Sequence, residues 1–512
     1  MSRPLRVSLE LMEKAPLTAL AEVRTREPAR LHLTIAGRDG NDLKVEFSGF
    51  AEHHRIPVLG LYPDYRNTVE VTAETKTGEL LRRSVTVRTR ALPEHYPKVR
   101  LKRRLPERIA PGMTFLHLAH YDAEGTYHPL PSAVDRHGRV RWFYDGDIGH
   151  LLRRLDEGTF LIQREDSLVE IDMLGRDTGR RITVENGIHH DAAVLPDGNF
   201  LVLTAAPGSY EDGVVEVDRQ GGGIVRSWDF REILDPERPR QPRNLEKDDW
   251  LHLNAVTYDP ASNGIVVSGR DQSAVVKIDR ESGKLRWILG NHRYWKQEFR
   301  QYLLEPQGEP FAWPWGQHAP MLHPQQPGRI LIFDNGNKRS YDNPLPPEEN
   351  YSRAVEYAVN PQTMEVRQLW EYGRRYGSEL YTPFIGDANY LPNGNRLVCF
   401  GGITRNLQGE PVEIFDWEQR EVRRMKISAR IIEVTADSPA REVMELSFRD
   451  PDPGSYRGYR CYRAVRMPLY PASLRTKVPA RSSSKARRSS SLLFMTIGPR
   501  HAMGSASGRP EM

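Results

Sequence analysis

Over residues 29–90 apolar and polar side chains alternate with a period of two, the spacing of half-buried strands. Leu31-His-Leu-Thr-Ile35, Thr68-Val-Glu-Val-Thr72 and Ser84-Val-Thr-Val-Arg88 read this way, with turn signals at Gly40-Asn41 and Gly78. Residues 1–91 are therefore expected to form a small N-terminal β-sandwich domain. A Pro- and Arg-rich stretch over 92–111 reads as a linker.

Beyond it a unit recurs. One half is a strand ending in an acidic or amide turn, then a strand often closed by tryptophan: Ala133-Val-Asp135…Trp142, Glu170-Ile-Asp172, Glu216-Val-Asp218…Trp228, Lys277-Ile-Asp279…Trp287, Tyr357-Ala-Val-Asn360…Trp370 and Ile431-Ile-Glu-Val434. The other half is a strand, a Pro/Gly turn and a second strand, as in Asp191-Ala-Ala-Val-Leu-Pro-Asp-Gly-Asn-Phe-Leu-Val-Leu and Asn389-Tyr-Leu-Pro-Asn-Gly-Asn-Arg-Leu-Val. Two hairpins make a four-stranded sheet, and six such sheets set radially make a propeller. The expected fold is all-β, a six-bladed β-propeller over 112–470, with closure through the strand near Tyr459–Arg466. A β-sandwich array or another blade count would be the alternative.

Composition changes this picture little. A chain of 512 residues, 38% hydrophobic and 28% charged, reads as soluble and globular, and no run approaches the eighteen or so apolar residues of a membrane helix. The net charge of +5 sits in the Ser/Arg/Lys-rich segment 471–512, which alone carries +7 and reads as a disordered tail. The rest is about −2, so nothing points to a nucleic-acid partner. Cys399 and Cys461 are too few for a disulfide framework, although one bridge is open to them. The N-terminus lacks the apolar core of a secretory signal, with Glu10 and Glu13 interrupting it.

The chemistry is expected on the propeller axis. Aligned on their Pro/Gly turns, the innermost strands place Asp191, Asn254, His318 and Asp387 at one position, with His189, His252, Gly316 and Ile385 two residues earlier. A spacing of two shares one strand face, so His189, His252, Asn254 and His318 point into one funnel while His190 turns away. Arg270 ends the second strand of the unit that carries His252. Three histidines suit either a metal site with an open position or nucleophilic and acid–base work near neutral pH. A guanidinium belongs beside an oxyanion rather than a dication, so Arg270 favours an anionic substrate.

Gly187-Ile-His-His-Asp191…Leu195-Pro-Asp-Gly-Asn199, Asp249-Trp-Leu-His-Leu-Asn254, Ser268-Gly-Arg-Asp-Gln-Ser-Ala-Val275 and Trp315-Gly-Gln-His-Ala319 resemble the arylsulfotransferases. So does Gly60-Leu-Tyr-Pro-Asp-Tyr-Arg-Asn67, and the resemblance runs in order over roughly residues 30–470. It implies a homodimer of six-bladed propellers with N-terminal β-sandwiches. The implied reaction is sulfuryl transfer from an aryl sulfate donor to a phenolic acceptor, without a nucleotide donor, a metal or another cofactor. On these residues His318 corresponds to a histidine that becomes sulfated and His252 to a proton donor and acceptor. Arg270, Asn254 and one of His189 or His190 surround the sulfuryl oxygens, and Thr382 is the candidate for a threonine near the site. Trp313 and Trp315 could face the aryl ring.

Three departures stand beside the resemblance. It implies a periplasmic protein, but no signal is visible, so the compartment stays open. It implies a short-range disulfide, which Cys399 and Cys461 cannot be. Ile385, not Thr382, holds the aligned inner position. A metal-dependent hydrolase or lyase on His189, His252 and His318, and a non-catalytic binding scaffold, are the competing readings.

Overall fold

The alternation of the first ninety residues becomes one five-stranded antiparallel sheet: Leu5–Leu11, Thr18–Ile35, Leu43–Leu59, Arg66–Thr75 and Leu80–Arg88. The long strand Thr18–Ile35 pairs with Leu5–Leu11 along its first half and with Arg66–Thr75 along its second, while Leu43–Leu59 follows its whole length. The register breaks between Arg24 and Ala29, which lets both long strands bend and the sheet close over its own core. Leu31, Leu33, Ile35, Val69 and Val71 fill that core. The computed structural model describes residues 5–122, 124–240, 249–413, 425–450 and 457–476.

After residue 111 four-stranded antiparallel groups follow one another. Leu152–Arg154, Phe160–Arg164, Ser167–Ile171 and Asp177–Thr183 form one, in chain order from inside to outside. The same order repeats over 192–229, 253–290, 318–372 and 387–448. A further group is completed from the other end of the chain. Arg457–Met467 pairs with Met113–Tyr121, which continues outward through Ser132–Val134 to Val140–Phe143. The inner strands of successive groups lie side by side, Ala192–Val194 beside Leu253–Asp259, then His318–Leu322, Asp387–Tyr390 and Arg457–Met467. The expected all-β, propeller-like class is what forms.

The repeated acidic positions join neighbouring groups. Arg219 grips Glu170 through two bonds of 2.8 and 3.0 Å, Arg280 grips Glu216 at 2.9 and 2.6 Å, and Arg396 reaches Glu356 at 2.7 Å. Bidentate pairs of this kind fix geometry as well as charge. The 92–111 stretch, read as a linker, lies against these groups: Arg100–Arg103 adds an edge strand to Glu442–Phe448, and Ile109 and Ala110 are buried. The Gly60 motif meets the first tryptophan-closed strand, where Arg141 Nε donates to the Gly60 carbonyl at 2.9 Å.

Cys399 and Cys461 are buried free thiols. Of the segment read as a tail, Ala472–Thr476 is a short helix, and 477–512 lie outside the described residues. Among the described residues no helix is long and apolar enough to cross a membrane, which says nothing of β-barrels.

Candidate active site

The inner strands begin on an unusual backbone. His252, Gly316 and Ile385 have φ of 52°, 59° and 50°, each two residues before the aligned Asn254, His318 and Asp387. Left-handed φ is uncommon outside glycine and an outlier for a β-branched side chain, so its recurrence marks a shape that the ring of strands imposes. In the group over 192–229 the left-handed residue is His190, at 52°, one place later than spacing suggests. By conformation His190, not His189, is the counterpart of His252. Its ring lies 4.8 Å from that of His252 and stacks on His150 at 5.2 Å. The expectation that His190 turns away is thereby corrected. His189 remains beside it, with the two Nδ1 atoms 3.2 Å apart.

His318 opens its strand and is buried. Its Nδ1 lies 2.7 Å from Asn335 Oδ1. The amide orientation is not free, because Asn335 Nδ2 donates to the carbonyls of Thr382 at 2.8 Å and Ile385 at 2.7 Å. Oδ1 must therefore accept, Nδ1 of His318 must carry the hydrogen, and Nε2 keeps its lone pair. Burial, then the Arg270 guanidinium, hold its pKa well below the usual imidazole range, so the ring is neutral at pH 7.

His252 is treated in the opposite way. Its Nδ1 meets Asp249 Oδ2 at 2.6 Å and Glu211 Oε2 at 2.7 Å. Burial pushes its pKa down, but the Glu211 and Asp249 carboxylates outweigh burial and push it up to about 10. It is an imidazolium at neutral pH.

Arg270 is buried, donates to the Pro383 carbonyl at 2.8 Å, and gives its backbone N–H to the His252 carbonyl. Asn254 Nδ2 donates at 2.8 Å to the carbonyl of Gln317, the residue before His318, and its Oδ1 is buried without a hydrogen-bond partner. Thr382 turns its hydroxyl to the Leu380 carbonyl at 3.0 Å and meets the site through its own carbonyl on Asn335. Trp315 packs edge-on to Tyr341, and Trp313 packs on Phe311 and His292.

Potential metal ligands approach within 4.8 Å of one another in two trios among the described residues, His189–His190–Glu211 and Glu211–Asp249–His252. His318 is in neither, so the histidine trio of the metal-dependent reading does not converge. The second trio is the ion pair of a protonated His252, whose Nδ1 is already engaged. Further along the axis Asp191 bridges Arg153 and Arg463, both at 2.9 Å. A cavity of about 980 Å³ lies at the other ends of the inner strands, lined by His117, Arg463, Tyr258 and Met321. His252, Arg270 and His318 do not line it, so the candidate site is marked by converging polar groups rather than by cavity size.

A family model described as arylsulfotransferase matches residues 98–460, and one described as the arylsulfotransferase Ig-like domain matches residues 8–90. This chain belongs to the arylsulfotransferase family. By that membership it is an enzyme of the transferase class. This arylsulfotransferase is 26% identical to arylsulfate sulfotransferase AssT of Escherichia coli O6:H1, over 80% of this chain and 87% of that protein. It is also 26% identical to AssT of Lelliottia amnigena over the same shares. Among solved structures it is loosely similar to Kuenenia stuttgartiensis hydrazine synthase: TM-score 0.33, 14% identity, 61% of this chain and 69% of that one.

Four neighbours of the site had no assigned role in the sequence reading: Glu211, Asp249, Asn335 and Tyr462. Tyr462 lies 5.2 Å from His150, with its hydroxyl buried and without a hydrogen-bond partner. Asn335 had a usable signal. It follows the second strand Arg329–Asp334 just as Arg270 follows Gly264–Gly269. Glu211 had none, because it lies at the far end of its connection between second and third strands, away from the position that Arg270 and Asn335 share.

Proposed function

We propose that this arylsulfotransferase moves a sulfuryl group from a phenolic sulfate ester to a phenolic acceptor in two displacements, with the groups of strands acting as the six blades of one propeller. In the first, Nε2 of neutral His318 attacks sulfur and an N–S bond forms as the S–O bond to the aryl group breaks. His252 gives its Nε2 proton to the departing phenolate. In the second, an acceptor phenol returns a proton to His252 while its oxygen takes sulfur from His318. Charge spread over the sulfuryl oxygens makes positioning and electrostatics dominate, as in phosphoryl transfer, and Arg270 supplies the cation. His189, His190, Asn254 and Thr382 belong to the surrounding shell in this reading. No nucleotide donor enters.

One observation carries the reading: the relay from Thr382 and Ile385 through Asn335 to His318 Nδ1, which leaves Nε2 as a neutral lone pair beside Arg270. A two-step path through a covalent intermediate predicts ping-pong kinetics. The test is release of 4-nitrophenol from 4-nitrophenyl sulfate, with and without added phenol, by wild type and His318→Ala. Phenol-dependent release that falls by about 10⁴-fold or more in the variant is expected. Phenol-independent release abolished by a chelator would favour a metal-dependent hydrolase. No release from either protein over several donors and acceptors would favour a binding scaffold.

A further inference from the structure

The ion pair behind His252 goes beyond this reading and rests on it. We infer that Glu211 and Asp249 are positioning residues that hold the Nδ1–H of His252 between them and so set how strongly its Nε2 gives and takes a proton.

Both carboxylates meet the same atom, Nδ1, at 2.7 and 2.6 Å. Asp249 is a local partner, three residues before His252 in the same loop, whereas Glu211, just before the strand Gly213–Val217, reaches across from another group of strands, so that second contact is tertiary. With Nδ1–H held between them, the proton free to move is on Nε2. The other titratable and charged groups around the ring are His190 at 4.8 Å, then His189, His150 and His318, and Arg270 behind its carbonyl. None of these supplies negative charge. Among the described residues Glu211 and Asp249 are the carboxylates that hold the imidazolium, and Asp249 also bears on Asp212.

The two half-reactions ask contrary things of His252. It must give a proton to a leaving phenolate and then take one from an incoming phenol. A group whose proton affinity equals that of the phenol does both without an uphill step. Phenolic hydroxyls ionise near 10, whereas an unassisted imidazole near 6.5 would be a base about a thousandfold or more too weak. The carboxylate pair brings His252 to about 10.

The test uses Glu211→Gln, Asp249→Asn and the double variant, with 4-methylphenyl sulfate as donor, whose phenolate takes the His252 proton on leaving, and phenol or the more acidic 4-cyanophenol as acceptor. The double variant is expected to lose about 100-fold in kcat/KM with phenol and less than about 10-fold with 4-cyanophenol, a split that general base strength would produce. The alkaline limb of its pH profile should move to lower pH. Equal losses with both acceptors and an unmoved pH profile would overturn the inference. If the double variant does not fold, Asp249→Asn alone carries both measurements. NMR titration of His252 in wild type separates the two readings. Protonation retained at pH 8 supports the inference even if no transfer is found, and titration near pH 6.5 overturns it even if transfer is robust.

Discussion

His252 and His318 begin adjacent inner strands of one ring, both are removed from solvent, and the protein drives them to opposite ionisation states. On the His252 side two carboxylates share one ring nitrogen, and the imidazole stays protonated. On the His318 side an amide oxygen takes the same place, with a guanidinium nearby, and the imidazole stays neutral. Burial acts alike on both, disfavouring charge; the partner at Nδ1 decides the outcome. The contrast shows how one residue type can be held in two ionisation states by its neighbours, which is what the proposed division into an acid and a nucleophile requires.

The comparison breaks most sharply at Asn335. Asn335→Leu removes the acceptor that fixes the His318 tautomer, and kcat should fall by about 10³-fold, in the range that tautomer errors cost elsewhere. Asn335→Asp sharpens it instead, because a carboxylate at Nδ1 makes His318 resemble His252. Its proton affinity rises, so the acid limb of kcat/KM should move to higher pH, and a pH–rate profile reads this directly. An unmoved limb would mean that Asn335 does not govern His318.

His252→Ala removes the acid alone. Aryl sulfates with poor leaving groups should lose about 10²–10³-fold, while 4-nitrophenyl sulfate, whose phenolate leaves without a proton, loses about 10-fold. Equal losses along a series of substituted phenyl sulfates would refute the role.

The smallest effect is on stability. His252 has a folded pKa above its unfolded value of 6.5, so its contribution is complete below about pH 6.5 and is lost as pH rises through about 10. His318, with its pKa lowered, has the opposite sign: its contribution is present above 6.5 and lost on acidification. Urea unfolding between pH 7 and 10.5 should show a steeper loss in wild type than in His252→Ala. Parallel slopes would contradict the ion pair.

The fold was legible because two signals agreed, a period of two within strands and a repeat between them. The 92–111 stretch misled because its Pro and Arg residues mask the short strand Arg100–Arg103, whose partner is more than three hundred residues away. His189, His190, His252, Arg270 and His318 were all singled out, since aligned repeats expose residues on a common face. His190 was turned the wrong way because a one-residue irregularity exchanges the faces of a strand, and spacing cannot register it. Thr382 was named because the resemblance implies a threonine near the site, and it is its carbonyl that reaches Asn335. Asp249 stood in the His252 motif without a role because it lies off the shared strand face, and Glu211 was missed because a contact between separate loops leaves no periodic trace.

The last described strand, Arg457–Met467, joins the ring to its beginning, and Arg466 bonds Thr114 across 352 positions of chain. That same strand brings Arg463 onto Asp191 and Tyr462 beside His150. In the order of synthesis, then, the ribosome releases His189, His190, His252, Arg270, His318 and Asn335 long before it releases the segment that closes the circle around them. Contacts so distant in sequence are slow to form, because the entropy of closing the loop must be met first. The nascent enzyme stays open through most of translation, its chemistry withheld until the final turn of the wheel is in place.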